Sequence, residues 1–335
     1  MGVPLRQSVK VGTYLMKQKI RGKEKFPLVV ELEPLFACNL ACNGCGKIQY
    51  PAHILKQRMS VEDAVGAVME SEAPIVSIAG GEPLIHPEIT TIVDELLKKK
   101  KIVYLCTNAL LLKKKLHKFK PHPNFAWVIH IDGLEERHDE SVSREGTFQE
   151  AIEAIKAAQA AGFKVNTNTT FFNNDTPQNV RDVLDYLNDE VKVDKMMISP
   201  GYAYEKAPDQ DHFLGVTETR EMFAKAFSDG RRKKWRMNHS PLFLDFLEGK
   251  VDYECTAWGV PSYSVFGWQK PCYLMSDGTH AKTYKELIET TEWEKYGRGK
   301  HEKCANCMAH CGYEPSAVMA TLGSLKESIR AAVGS

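Results

Sequence analysis

The chain has 335 residues, 43% hydrophobic and 26% charged, enough apolar content for a real core in one large domain or two. With 44 Lys and Arg against 43 Asp and Glu, the formal charge of +1 gives no global case for a nucleic-acid partner. No window approaches the roughly 18 apolar residues of a membrane span. The start, Met1-Gly-Val-Pro-Leu-Arg-Gln-Ser-Val-Lys10, lacks the apolar stretch of a signal peptide. A cytoplasmic setting is expected, where nine cysteines read as metal or redox sites and not as disulfides.

Three regions follow in chain order: a basic segment (1–25), an alternating core (26–200) and a cysteine-rich remainder (201–335). In the first, Leu5, Val9, Met16 and Ile20 recur at roughly helical spacing, and residues 6–25 carry seven bases against the one acid Glu24. Such a helix can lie peripherally on an anionic lipid surface or pack, solvated, on the core; the spacing leaves both open. In the core, Pro27–Leu32 predicts a buried strand running into a cysteine loop. Ser60 opens a helix, with Asp63 placed for a capping box. Ile75–Ile78 is a second strand, and Pro87 opens a helix through Ile92, Val93 and Leu96 to a Lys-rich end. Ile102–Cys106 and Ala126–Ile131 are the third and fourth strands. An alanine-rich helix, Thr147 to Ala161, is stopped by Gly162. Lys164–Thr170 is the fifth strand, Thr176-Pro177 caps the next helix, and Lys195–Ser199 is the sixth strand. This alternation predicts an α/β fold with a parallel sheet and right-handed crossovers. Six units without a clear seventh and eighth predict a partial (β/α)6 barrel, with its chemistry at the carboxyl ends of the strands. After Pro200 the alternation stops. Glu218 to Lys234 reads as one helix, and the rest, to Pro315, as irregular.

The loop after the first strand carries Cys38-x3-Cys42-x2-Cys45. A [4Fe–4S] cluster has four irons, each ordinarily held by one thiolate. Three thiolates on one loop leave the fourth iron open to bind a small molecule and pass it an electron. A zinc knuckle would need a fourth ligand, and only His53 is at hand. After the second strand comes Gly80-Gly81-Glu82-Pro83, two glycines that permit close backbone approach and a carboxylate suited to an ammonium group. Alone this is a common turn; one crossover after the cysteine loop it gains weight.

On these two motifs the chain resembles the radical S-adenosylmethionine (SAM) enzymes, from about Phe26 to Ser199. The resemblance implies that the open iron chelates the amino and carboxylate groups of SAM, that Glu82 holds the methionine ammonium, and that an electron from the cluster yields a 5′-deoxyadenosyl radical. An electron donor such as flavodoxin or ferredoxin is implied as partner. Thr107-Asn108 after strand three, Ile131-Asp132-Gly133 after strand four, and His138-Asp139, Arg144 and Gly146-Thr-Phe148 recur as in many members. Asn108, Asp132 and Asn168 are candidate cofactor contacts; Asp132 and Asn168 could equally be ordinary turn or strand polar groups. Where most members carry an aromatic before the last cysteine this chain has Gly44, which leaves the adenine contact open.

The stretch Glu31 to Pro51 and the cysteine-rich tail resemble, more narrowly, the hopanoid-biosynthesis branch of that superfamily, the adenosylhopane synthases. That likeness implies addition of the adenosyl radical to the terminal alkene of diploptene, a C30 triterpene. Addition leaves a tertiary radical that must take a hydrogen atom. Cys106, at the end of strand three, is a candidate donor because S–H bonds are weaker than alkyl C–H bonds; a buried core thiol is the other reading. Tyr104 would share its face. A C30 hydrocarbon needs a long apolar cavity, and Phe171, Phe172, Tyr202, Tyr204, Trp258, Phe266 and Trp268 are available to wall it. In the tail, Cys255, Cys272, Cys304, Cys307 and Cys311 could form a second metal or iron–sulfur site, or stand as thiols. The competing functions are a radical enzyme that abstracts hydrogen from a peptide or small metabolite, and a non-catalytic iron–sulfur sensor.

Overall fold

The computed structural model describes residues 5–204, 207–208 and 210–323. The six expected strands form: β1 (Val29–Glu33), β2 (Ile75–Ile78), β3 (Ile102–Thr107), β4 (Phe125–His130), β5 (Lys164–Phe171) and β6 (Lys195–Pro200). They pair in parallel in sequence order. Helices Val61–Glu70, Ile89–Lys98, Thr147–Ala160 and Pro177–Asp185 cross between them. The local signals act where they stand. Ser60 Oγ accepts from the Asp63 amide at 3.0 Å, and Thr176 and Asn179 complete a capping box ahead of Pro177.

Alternation along the strands decides which side is packed. Val30, Leu32, Val76, Ile78, Val103, Leu105, Trp127 and Ile129 point to the helices and are fully buried. Their neighbours Glu31, Ser77, Tyr104, Cys106 and His130 point the other way, are only half-buried, and line a cavity. In a closed eight-stranded barrel that inner layer is filled by branched side chains; here the interior is hollow.

The region after Pro200 is more regular than its composition suggests. The helix Val216–Phe227 ends earlier than expected. Gly230 turns the chain in the left-handed region (φ +77°), and Asp229 Oδ1 accepts from the Arg231 amide at 3.0 Å, so Arg231–Lys233 forms a separate short turn. Helices Pro241–Leu247, Tyr284–Thr290 and His310–Gly323 follow. Three short strands, β7 (Ser262–Ser264), β8 (Gly267–Pro271) and β9 (Ser276–Ala281), extend the sheet beyond β1. β7 runs parallel to β1, and the strand order is β6-β5-β4-β3-β2-β1-β7-β8-β9. The sequences Ser-Tyr-Ser and Ser-Asp-Gly-Thr-His-Ala carry no apolar alternation; pairing, of the first to β1 and of the second to β8, and not pattern, makes them strands.

The N-terminal helix α1 (Leu5–Ile20) docks through Val11, Tyr14 and Leu15 onto Phe26, Leu28, Val29, Val318 and Met319. Tyr14 Oη donates to the Pro27 carbonyl at 2.8 Å. Arg21 and Lys23 pair with Glu72 at 3.1 and 3.3 Å. The expected apolar stripe faces away from the core: Val9, Met16 and Ile20 are 58%, 54% and 81% exposed. The side chain of Leu5 lies outside the described set.

Candidate functional site

The cysteine loop leaves β1 at the carboxyl edge of the sheet and is clamped from two sides. Asn43 accepts from Ser143 Oγ at 2.8 Å through its side chain, and its amide donates to the Ser141 carbonyl at 3.1 Å. From β2, the amides of Gly81 and Glu82 donate to the carbonyls of Leu35 and Ala37, each at 2.9 Å. The glycines therefore meet the loop backbone where the sequence suggested a ligand. A Cβ on Gly81 would lie 2.1 Å from the Ala37 oxygen, and one on Gly80, at φ +99°, 2.4 Å from the Leu35 oxygen.

Cys38, Cys42 and Cys45 lie close enough on this loop to feel one another's charge. Burial pushes the Cys38 thiol up to about 11, and burial with Cys45, Asp132 and Cys38 nearby pushes Cys42 up strongly. Ionising such thiols calls for cationic compensation, which iron supplies. No three His, Cys, Asp or Glu side chains among the described residues converge on one ion position. The trio suits a cubane, in which each thiolate takes its own iron.

Glu82 is buried beside the loop. Its carboxylate accepts from the Leu84 amide (2.9 Å), Thr107 Oγ1 (2.8 Å) and the Asn108 amide (2.9 Å). Three of about four acceptor positions are used, leaving one on Oε2 for a ligand donor. Burial raises its carboxyl to about 7 despite those bonds. Asn108 is drawn to the same corner, its amide nitrogen 2.8 Å from Asn39 Oδ1 and 3.8 Å from Cys38 Sγ.

Asp132 and Asn168 differ. Asp132 is buried and accepts from three protein partners, His130 Nε2 (2.8 Å), Ser141 Oγ (2.6 Å) and the Thr170 amide (2.8 Å), which by the same count leaves one position on Oδ1. Burial alone would raise its carboxyl, but the His130 ring holds it below the ordinary range. It latches β4 to β5 and orients His130, a cavity residue that motif reading missed. Asn168 lines the cavity with its Oδ1 unpartnered among the described residues, an acceptor free for a ligand.

The cavity, about 790 Å³, runs inside the barrel. Its mouth end holds Thr107, Asn168 and Tyr202, and its far end Val29, Ile75 and Ile102, closed by Leu15 of α1 and Val318. Cys106 and Tyr104 share its wall, as the alternation of β3 requires. Burial, then the nearby Glu31, push the Cys106 thiol up to about 12, so it keeps its S–H. Among the expected wall aromatics, Tyr202 and Tyr204 line the cavity. Phe171 and Trp268 are buried in the core. Trp258 packs on Phe26, and Phe266 on Phe36 and Tyr50. Phe172 sits where Gly44 leaves room: a Cβ at 44 would be 3.3 Å from its ring and 3.5 Å from His212 Nε2. The aromatic absent from position 44 thus has a neighbour from beyond β5 in its place.

In the tail, Cys255, Cys307 and Cys311 each feel the charge of at least two other tail thiols and Cys272 feels that of Cys304, and burial raises all four; for Cys307 the value reaches about 12. Cys304 Sγ lies 3.4 Å from Met275 Sδ. All five are free of disulfides. Cys311 also lines the barrel cavity, so the tail group borders the main site.

Residues 32–187 match the Radical SAM superfamily, and residues 196–331 match a domain of unknown function, DUF3463. With the site geometry above, this match supports an enzyme of the Radical SAM superfamily, which implies a [4Fe–4S] cluster and SAM as cofactors and an electron donor as partner. It is similar to the GTP 3′,8-cyclase of Clostridium perfringens (strain SM101 / Type A), 23% identical over 291 residues, covering 77% of this chain and 87% of that protein. The GTP 3′,8-cyclase of Aquifex aeolicus (strain VF5) is 28% identical over 149 residues, 41% of this chain and 47% of that one. The fold is shared with Streptococcus suis SuiB bound to S-adenosylmethionine: TM-score 0.68, 15% identity, 93% of this chain and 78% of that one. It is shared too with anSMEcpe with bound AdoMet and Cp18Cys peptide: TM-score 0.61, 21% identity, 84% and 86%.

Proposed function

We propose that the enzyme joins the adenosyl group of SAM to the terminal alkene of a polycyclic C30 hydrocarbon, diploptene, giving adenosylhopane. The observation that carries this reading is the hollow barrel: a cavity apolar at its far end, with a thiol on its wall near the mouth. When bound, the cluster and SAM supply the 5′-deoxyadenosyl radical. Cys38, Cys42 and Cys45 would hold the cluster; Glu82, Asn108 and Asn168 would meet SAM, with Gly80 and Gly81 seating the loop and Asp132 acting through His130. Phe172, beside Gly44, would meet the adenine. Cys106 gives a hydrogen atom to the tertiary carbon left by addition. Anaerobic incubation of reconstituted protein with reductant, SAM and diploptene, followed by mass analysis, tests this: an adenosylated hydrocarbon is expected, and its absence alongside active SAM cleavage would refute it.

A second reading is hydrogen abstraction from a peptide or small metabolite. It is favoured by the likeness to SuiB, solved also with its precursor peptide, and to the GTP 3′,8-cyclases. Abstraction would release free 5′-deoxyadenosine with each turnover. The tail thiols are proposed to hold an auxiliary cluster. Iron analysis is then expected to give roughly eight irons per chain, falling to about four when Cys255 and Cys307 become alanine; about four in both, or zinc by mass spectrometry, would count against it.

A water-insoluble substrate also gives α1 a purpose. No described helix is long and apolar enough to cross a membrane, but the outward Val9, Met16 and Ile20, flanked by Lys17 and Lys19, suit a peripheral contact with anionic lipid. The protein is expected to float with anionic liposomes and to lose that fraction when Val9, Met16 and Ile20 become glutamine. Equal flotation of both forms would remove the membrane contact.

A further inference from the structure

The inward faces of β1, β2 and β3 place a row of polar groups across the cavity wall. Glu31 is in register with Ser77, and Ser77 with Tyr104; Cys106 lies two residues further along β3 on the same face. Ser77 Oγ is 3.6 Å from Cys106 Sγ and hydrogen-bonds the Glu31 carboxyl. Glu31, Ser77 and Cys106 all line the cavity. The charged or titratable groups facing Glu31 are Glu33 on β1, Lys47 of the cluster loop, Cys106, Tyr273 after β8, and Cys311 of the helix His310–Gly323. Lys47 is committed to Glu33, 3.0 Å away.

We propose that Glu31, acting through Ser77, is the proton source that restores the Cys106 thiol after each turnover. The inference rests on Cys106 as hydrogen-atom donor. Loss of that atom closes a C–H bond in the product and leaves a sulfur-centred radical. Restoration needs one electron and one proton. The electron comes from the class of one-electron protein reductant that the enzyme already requires, and gives the thiolate. Ser77 then passes its hydroxyl proton to Sγ and takes the Glu31 carboxyl proton. The carboxylate left behind, which lines the cavity, is reprotonated by water entering at the mouth. Burial, then the Glu33 charge, hold the Glu31 carboxyl at about 8, so the acid carries its proton at neutral pH. A buried thiolate whose thiol sits at about 12 takes a proton from such an acid readily.

The test compares the first turnover with those that follow, in holoenzyme given SAM, reductant and diploptene. In Glu31→Gln the first-turnover burst should stay within about twofold of wild type while the steady rate falls about a hundredfold, the scale of a lost general acid. Ser77→Ala should show the same split. The wild-type steady rate should fall as pH rises through about 8, and Glu31→Gln should lose that dependence. Independently of cofactors and substrate, the infrared spectrum of the metal-free protein at pH 7 should show a protonated-carboxyl band that Glu31→Gln lacks. Equal steady rates, or no such band, overturn the relay. Cys106→Ala separates the two ideas: if it keeps the burst, the donor assignment fails and the relay with it. If it loses the burst while Glu31→Gln turns over normally, only the relay fails.

Discussion

Cys106→Ala is expected to reduce formation of the hydrogenated adduct to background while reductive cleavage of SAM continues. The thiol lies on the cavity wall, away from the trio of cluster cysteines, and its removal leaves cluster, Glu82 and Asn108 in place. A carbon radical takes hydrogen from a thiol because the S–H bond is the weaker; neither a methyl group nor a hydroxyl offers a comparable atom. Cys106→Ser should therefore fail as Cys106→Ala does, although it restores volume and a partner for Ser77. In deuterated water the wild-type thiol exchanges, and the adduct should carry one deuterium. A Cys106→Ser enzyme that forms the same adduct at the wild-type rate would place the donor elsewhere.

Gly81→Ala should have an effect of similar size for a different reason. The added carbon would stand 2.1 Å from the Ala37 oxygen and 2.5 Å from the Phe36 oxygen, both backbone atoms. Side chains can swing aside, but here the loop that carries Cys38 must move. Overpacking of this kind costs about 1–3 kcal/mol even where the structure relaxes. It also breaks the 2.9 Å bonds from Gly81 to Leu35 and from Glu82 to Ala37. Iron content after reconstitution is expected to fall well below the four irons of one cluster, with SAM cleavage lost alongside. Full iron loading with wild-type cleavage would show that the loop does not depend on this seat. Gly66, with open space about its Cβ position, provides the control: Gly66→Ala should leave both readouts unchanged.

The strands of the core were legible because their apolar runs are bounded by turns and separated by amphipathic helices, and the cluster loop was legible because three cysteines at fixed spacing have few other uses. What sequence could not give falls into two kinds. Short strands such as Ser262–Ser264 owe their conformation to the edge of β1, a contact between residues 31–33 and 262–264 that no local pattern encodes. Interior polar groups such as Glu31, Ser77 and His130 lie in strands where a period of two says only that they share a face, not that the face encloses a cavity. The apolar stripe on α1 is visible in its spacing, but its outward direction depends on Val11, Tyr14 and Leu15 winning the contact with Phe26 and Leu28. Gly230, in the left-handed region, is a helix stop inside the span Glu218 to Lys234 that reads as one helix. Asp132 shows the converse: a motif position with a ligand role in view also serves the fold, through His130, Ser141 and Thr170.

The most direct measurement follows the adenosyl carbon. With SAM labelled at C5′, reconstituted enzyme, reductant and diploptene, the label should partition into the hydrocarbon fraction, with free 5′-deoxyadenosine a minor product. Recovery of the label as 5′-deoxyadenosine in step with turnover, and none in the hydrocarbon, would contradict addition within the cavity and leave hydrogen abstraction as the reaction.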